Sequence, residues 1–176
     1  MKPKFIDYYM KVAELTSTLS YAKRLQVGSV IVKGNKILAT GFNGMPSGWD
    51  NNCESFEFMN GDAGGWLNPE EIYEQWPFVE DDIDPDLGYA RRYRLKTKDQ
   101  VLHAEMNCLM KVAESTESST GTIMFCTHAP CINCAKAMYQ AGIVEVIYKN
   151  TYRTEEGLYF LEKCGVKLTK FVENDK

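Results

Sequence analysis

Residues 122–148, TIMFCTHAPCINCAKAMYQAGIVEVIY, decide the fold. Thr122 to Cys126 is a strand by composition, a short run of apolar and β-branched residues. Cys131 to Ala141 reads as a helix stopped by Gly142, and Val144 to Tyr148 reads as a second strand. A strand, a helix and another strand in succession imply parallel pairing with helices covering the sheet. Downstream the alternation continues, with a helix at 155–164 stopped by Gly165 and a short strand from Val166 to Thr169. Upstream, a helix at about 104–115 is expected to turn Met106, Leu109, Met110 and Ala113 to the core.

Near the start of the chain, Phe5, Tyr8, Tyr9, Val12, Leu15 and Leu19 recur at helical spacing and mark a helix over about 4–19. Two β-branched runs follow, Val27 to Val32 and Lys36 to Phe42. Gly34-Asn35 between them is a hairpin turn. A hairpin in front of parallel strands makes the sheet mixed. The remainder, about 49–98, reads as an insertion within a single domain spanning 1–176. It is rich in Gly and Pro and carries the acidic run Glu80-Asp81-Asp82-Ile83-Asp84, with one short helix expected near Pro69 to Gln75. Loops of this length tend to be lids or partner surfaces. Its rings, among them Trp49, Phe56, Phe58, Trp66, Tyr73, Trp76 and Phe78, are expected to pack on a neighbour or over a pocket.

The 176 residues suffice for one ordinary core. A hydrophobic share of 44% and a charged share of 25% fit a globular chain. No apolar run reaches the roughly 20 residues that span a bilayer, and the opening Met1-Lys2-Pro3-Lys4-Phe5-Ile6-Asp7 lacks the pattern of a signal peptide. A cytoplasmic location is therefore expected. The net charge of -4 disfavours broad nucleic-acid binding, which needs a basic face. It leaves room for a small anion held by one or two local cations. Six cysteines in such a chain read as metal ligands or core fillers rather than disulfides.

Two patterns carry chemistry: His103-Ala104-Glu105 opening one helix, and Pro130-Cys131-Ile132-Asn133-Cys134 opening another. Catalytic zinc takes three protein ligands and leaves a fourth position for water. His103, Cys131 and Cys134 are three suitable ligands, and the two sulfurs, three residues apart, share a helix face. A helix N-terminus favours thiolate. Pro130 sits where a missing N–H costs little. Glu105 is not needed as a ligand and is placed to carry protons. Zinc lowers the pKa of bound water to about 7, so hydroxide is available to attack C4 of a cytosine and release ammonia. H-x-E paired with P-C-x-x-C is the established signature of zinc base deaminases. The alternative is a structural zinc knot, closed by Cys126 or His128 as a fourth ligand.

On these residues, together with Val27 to Val32, Gly41-Phe42-Asn43-Gly44-Met45-Pro46-Ser47-Gly48 and Gly142 to Tyr148, the chain resembles the cytidine deaminase superfamily and, within it, the dCMP deaminases. The Gly-Phe-Asn-Gly box has Phe42 where those enzymes carry Tyr. The resemblance implies an α/β/α sandwich around a five-stranded mixed sheet, one Zn²⁺ per subunit and a homo-oligomer, commonly a hexamer. It implies dCMP as substrate, dUMP for thymidylate synthesis as product, and allosteric control by dCTP (with Mg²⁺, activating) and dTTP (inhibiting). Asn43 is then expected to hold the nucleotide sugar, with Gly41, Phe42 and Gly44 associated with regulation. Tyr152 is placed against the base, and Arg24 and Arg153 near the phosphate. Rival readings are a free cytidine or deoxycytidine deaminase, a tRNA adenosine deaminase, and a zinc-stabilised binding module without turnover. Glu105 argues against the last, because a non-catalytic module has no use for that carboxylate.

Overall fold

The computed structural model describes residues 1–58, 66–67, 90–91, 93–152 and 154–173. In chain order the elements are helix α1 (Pro3–Ser17), strands β1 (Gly28–Lys33), β2 (Lys36–Phe42), β3 (Glu54–Phe58), β4 (Trp66–Leu67), β5 (Ala90–Arg91) and β6 (Tyr93–Thr97), helix α2 (Ala104–Ala113), strand β7 (Thr122–His128), helix α3 (Ile132–Gln140), strand β8 (Ile143–Asn150), helix α4 (Glu156–Lys163) and strand β9 (Lys167–Lys170). The main sheet has the order β2-β1-β7-β8-β9. Strand β1 pairs antiparallel with both β2 and β7. The β7–β8 and β8–β9 pairs are parallel, joined through α3 and α4 as the strand–helix alternation requires. This is the expected five-stranded mixed sheet.

Period-two alternation sorts the central strands between two cores. Val30, Val32, Phe125 and Ile147 meet α1 through Tyr9, Met10 and Ala13. Ile31, Met124, Cys126 and Val146 face the opposite way, onto Cys108, Leu109 and Val112 of α2, Ala135 and Met138 of α3, and Leu161 of α4. Among the described residues the result is three layers, one helix on one face and three on the other. Fully burying each of the larger apolar side chains contributes about 1.5–3 kcal/mol, and the central strands supply most of them.

In two helices the buried face matches the sequence expectation only in part: Phe5, Tyr9 and Val12 of α1 and Met106 and Leu109 of α2 face the cores as expected. In α1, Tyr8 and Leu15 lie outside, at 53% and 70% exposure, as does Leu19 just beyond it; Tyr9, Met10, Ala13 and Thr16 face the sheet. In α2, Met110 and Ala113 are exposed, and the buried face is Ala104, Glu105, Cys108, Leu109 and Val112. In both cases small residues sit on the buried face. Ala13, Ala104 and Cys108 let a helix sit close to the sheet, and that proximity defines the buried face better than side-chain size does.

The insertion is not one long loop. Its two ends pair as an antiparallel ribbon, β3 with β6, in register Glu54↔Thr97 through Phe58↔Tyr93. Within it, β4 pairs with β5. The helix expected near Pro69 to Gln75 lies outside the described residues, as do Tyr73, Trp76 and Phe78. No helix among the described residues is long and apolar enough to cross a membrane.

Candidate metal centre and active site

Two helix starts face one another beneath the end of β7. His103 is the N-cap of α2 and Cys131 the N-cap of α3; neither uses its side chain to cap its own helix. Both side chains are therefore free to point across the gap. Cys134, in the first turn of α3, is buried. His103 Nδ1 lies 3.6 Å from Cys131 Sγ and 3.4 Å from Cys134 Sγ. The three donor atoms all lie within 4.8 Å of one another.

This spacing can be tested against a metal. Zinc bonds of about 2.0–2.1 Å to nitrogen and 2.3 Å to sulfur, at a tetrahedral angle, place nitrogen and sulfur about 3.5 Å apart. The observed separations bracket that value. The electrostatics agree. A hydrogen bond from Cys134, together with one from His103, pulls the Cys131 thiol down to about 3, so it is a thiolate at neutral pH. Cys134 donates to Cys131 from a buried position and is pushed up. The Cys131 thiolate also draws His103 upward. The Cys131 thiolate thus sits at the N-terminus of α3, facing the His103 imidazole at the start of α2, a donor set suited to a divalent cation.

Neither proposed fourth ligand joins them. Among the described residues the only such cluster is His103, Cys131 and Cys134. Cys126 is wholly buried in the α2–α4 core, and burial pushes its thiol far up. Cys108 lies in the same core, raised to about 11 by burial. His128 lines the pocket, with its Nδ1 3.1 Å from Thr127 Oγ1 and its pKa lowered by burial.

Glu105 is 4% exposed, and burial pushes its carboxyl above the ordinary range. Its helix is held from several directions. Ser29 Oγ on β1 donates to the Ala104 carbonyl at 2.7 Å, and Asn107 Nδ2 donates to the Phe42 carbonyl at 3.0 Å. Gly44 and Leu102 exchange backbone hydrogen bonds immediately before His103.

Gly41, expected as part of a regulatory box, has a packing reason to be glycine. A Cβ there would stand 2.3 Å from the Ala104 carbonyl oxygen, so it lets β2 approach the first turn of α2. Gly157 went unnoticed in the sequence. A Cβ on it would stand 2.1 Å from the Pro130 carbonyl oxygen, so α4 seats directly on the loop that presents Cys131. A glycine inside a helix was the available signal.

A pocket of about 280 Å³ opens over the cluster and is lined by His103, Glu105 and Cys131 together with Arg24, Asn43 and Tyr152. Four of the expected groups thus converge with the metal ligands, and Thr97 and His128 join them without having been singled out as pocket residues. Tyr152 is pushed up by burial and by the negative charge of Cys131, Glu105 and Cys134. Arg153 lies outside the described residues. Asn43 has a structural duty as well: its Oδ1 accepts from the Val27 N–H at 2.8 Å and its Nδ2 donates to the Leu25 carbonyl at 2.9 Å. Phe42 is within cation–π range of Lys111, 5.8 Å from its ring centroid.

The family model for the cytidine and deoxycytidylate deaminase zinc-binding region matches residues 3–150. A deoxycytidylate deaminase of Saccharomyces cerevisiae is 29% identical over 97% of this chain, which spans only 46% of that protein. The chain thus covers less than half the length of that relative. A deoxycytidylate deaminase of Enterobacteria phage T2 is 31% identical, over 81% of this chain and 78% of its own length. Among solved structures, the dCMP deaminase of cyanophage S-TIM5, determined in complex with dCMP and dUMP, aligns over 97% of this chain and 99% of its own, with a TM-score of 0.72 and 38% identity. A matched segment that runs from α1 to the end of β8 and contains all three donor residues places the chain in the cytidine and deoxycytidylate deaminase family.

Proposed function

We propose that the chain hydrolyses dCMP to dUMP and ammonia. The observation that carries this reading is Glu105, a buried carboxylate beside a three-donor metal cluster, both opening on one pocket. When bound, zinc supplies a water acidified to a pKa of about 7. Glu105 accepts a proton from the attacking water, delivers it to N3 of the ring, and assists loss of the C4 amine as ammonia. The C4–N bond breaks, a C4 carbonyl forms, and the ring, still joined to its sugar phosphate, becomes uracil. Burial of Glu105 favours this shuttle, because a carboxylate raised from its ordinary range is a stronger base and takes the proton of water more readily than an exposed one.

Tyr152 walls the base. Asn43 offers its second amide hydrogen to the sugar, and Arg24, with Arg153, neutralises the phosphate. The relatives named for dCMP support this assignment. Around it stand the wider expectations: a cytoplasmic homo-oligomer, commonly hexameric, supplying dUMP for thymidylate synthesis, with dCTP and Mg²⁺ activating and dTTP inhibiting through the Gly41-Phe42-Asn43-Gly44 segment. Ammonia release from dCMP, dCTP, deoxycytidine and a tRNA anticodon loop tests the reading. Turnover of dCMP well above the other three is expected. Preference for deoxycytidine or the RNA would replace it with a rival deaminase.

A further inference from the structure

Glu54 opens β3, at the root of the insertion, yet it is 4% exposed. A buried carboxylate is costly unless hydrogen bonds answer it. Here they come from the main chain: Oε1 accepts from the backbone N–H groups of both Lys23 and Arg24, at 3.1 and 3.2 Å. Glu54 therefore grips the loop between α1 and β1 at the residue whose guanidinium lines the pocket. Its partner across the ribbon is Thr97. Thr97 Oγ1 accepts from Arg24 Nη1 at 3.4 Å and also lines the pocket. One cross-strand pair thus holds Arg24 twice, by its main chain and by its side chain. At the other end of the loop, Asn43 ties Leu25 and Val27.

We propose that Glu54 is a positioning residue for nucleotide recognition. The root of the insertion, through Glu54 and Thr97, aims Arg24 at the substrate's phosphate and so sets preference for a nucleotide over a nucleoside. This rests on the reading of the pocket as a dCMP site. Both bonds fall on one oxygen of Glu54, so a glutamine can keep them with its amide carbonyl, whereas an alanine leaves two N–H groups unanswered.

The test is steady-state kinetics on dCMP and on deoxycytidine for the wild type, Arg24→Ala, Glu54→Gln and Glu54→Ala, each checked for zinc content. For Glu54→Ala we expect KM for dCMP to rise about tenfold or more, with kcat held and kcat/KM for deoxycytidine unchanged. Arg24→Ala should show the same pattern, and Glu54→Gln should stay within about threefold of wild type. A merely structural role for Glu54 would lower both substrates together and leave their ratio intact; that result overturns the proposal. So does a normal ratio in Glu54→Ala while Arg24→Ala loses it, or a normal ratio in Arg24→Ala itself. Failure of the wild type to turn over dCMP at all would instead remove the reading of the site.

Discussion

His103, Cys131 and Cys134 come from two helix starts 28 residues apart in sequence, and the fold brings His103 Nδ1 to 3.4–3.6 Å from both sulfurs. Loss of any one leaves two ligands, too few to hold a metal tightly. His103→Ala, Cys131→Ala and Cys134→Ala are each expected to weaken zinc binding more than about 100-fold, beyond the range for outer partners of a metal site. Cys126→Ala and His128→Ala should keep one zinc per chain. Metal analysis after dialysis checks both halves; retention by a ligand variant would refute the assignment. At this scale the sequence was most informative, because ligand chemistry depends on residue type and short spacing, and both are local. What it could not reveal was the supporting shell. Ser29, Glu54 and Gly157 act across distances of 75, 30 and 26 residues on Ala104, Arg24 and Cys131, and nothing local marks such partners.

Among the elements, strand–helix alternation was legible and helix rotation only in part. Apolar periodicity points to Tyr8, Leu15 and Met110 alongside Tyr9 and Leu109, but only the last two are buried, on faces that also carry Ala13, Ala104 and Cys108. Close approach selects small residues, and periodicity read on large ones misses them. The ends of the insertion were also misread, because a ribbon needs partners on both sides of a long excursion, Glu54 with Thr97 and Phe58 with Tyr93. Two glycines make the packing argument testable. Gly41→Ala and Gly157→Ala each force a methyl against a carbonyl oxygen, at 2.3 and 2.1 Å. Each should cost about 1–3 kcal/mol of stability, as overpacking does. Denaturant midpoints measure this, and a midpoint equal to wild type would mean that the helices yield freely. Gly157→Ala should also weaken zinc binding, since the shift falls on the loop carrying Cys131.

For the molecule as a whole, the sheet order places the ends of β2, β7 and β8 around one pocket, with α2 and α3 pointing their N-termini into it. The helix layer on that face carries the metal ligands, and the insertion root carries the support of Arg24. Three separate parts of the chain thus meet at one small pocket. The central claim is that the cluster is catalytic and that Glu105 moves the protons. Ammonia release from dCMP by the zinc-loaded protein, measured beside Glu105→Gln carrying the same zinc, tests it most directly. The account predicts steady turnover by the wild type and a rate about 10²–10⁴-fold lower in the variant. Equal rates in the two proteins, or no ammonia from the zinc-loaded wild type, would contradict it.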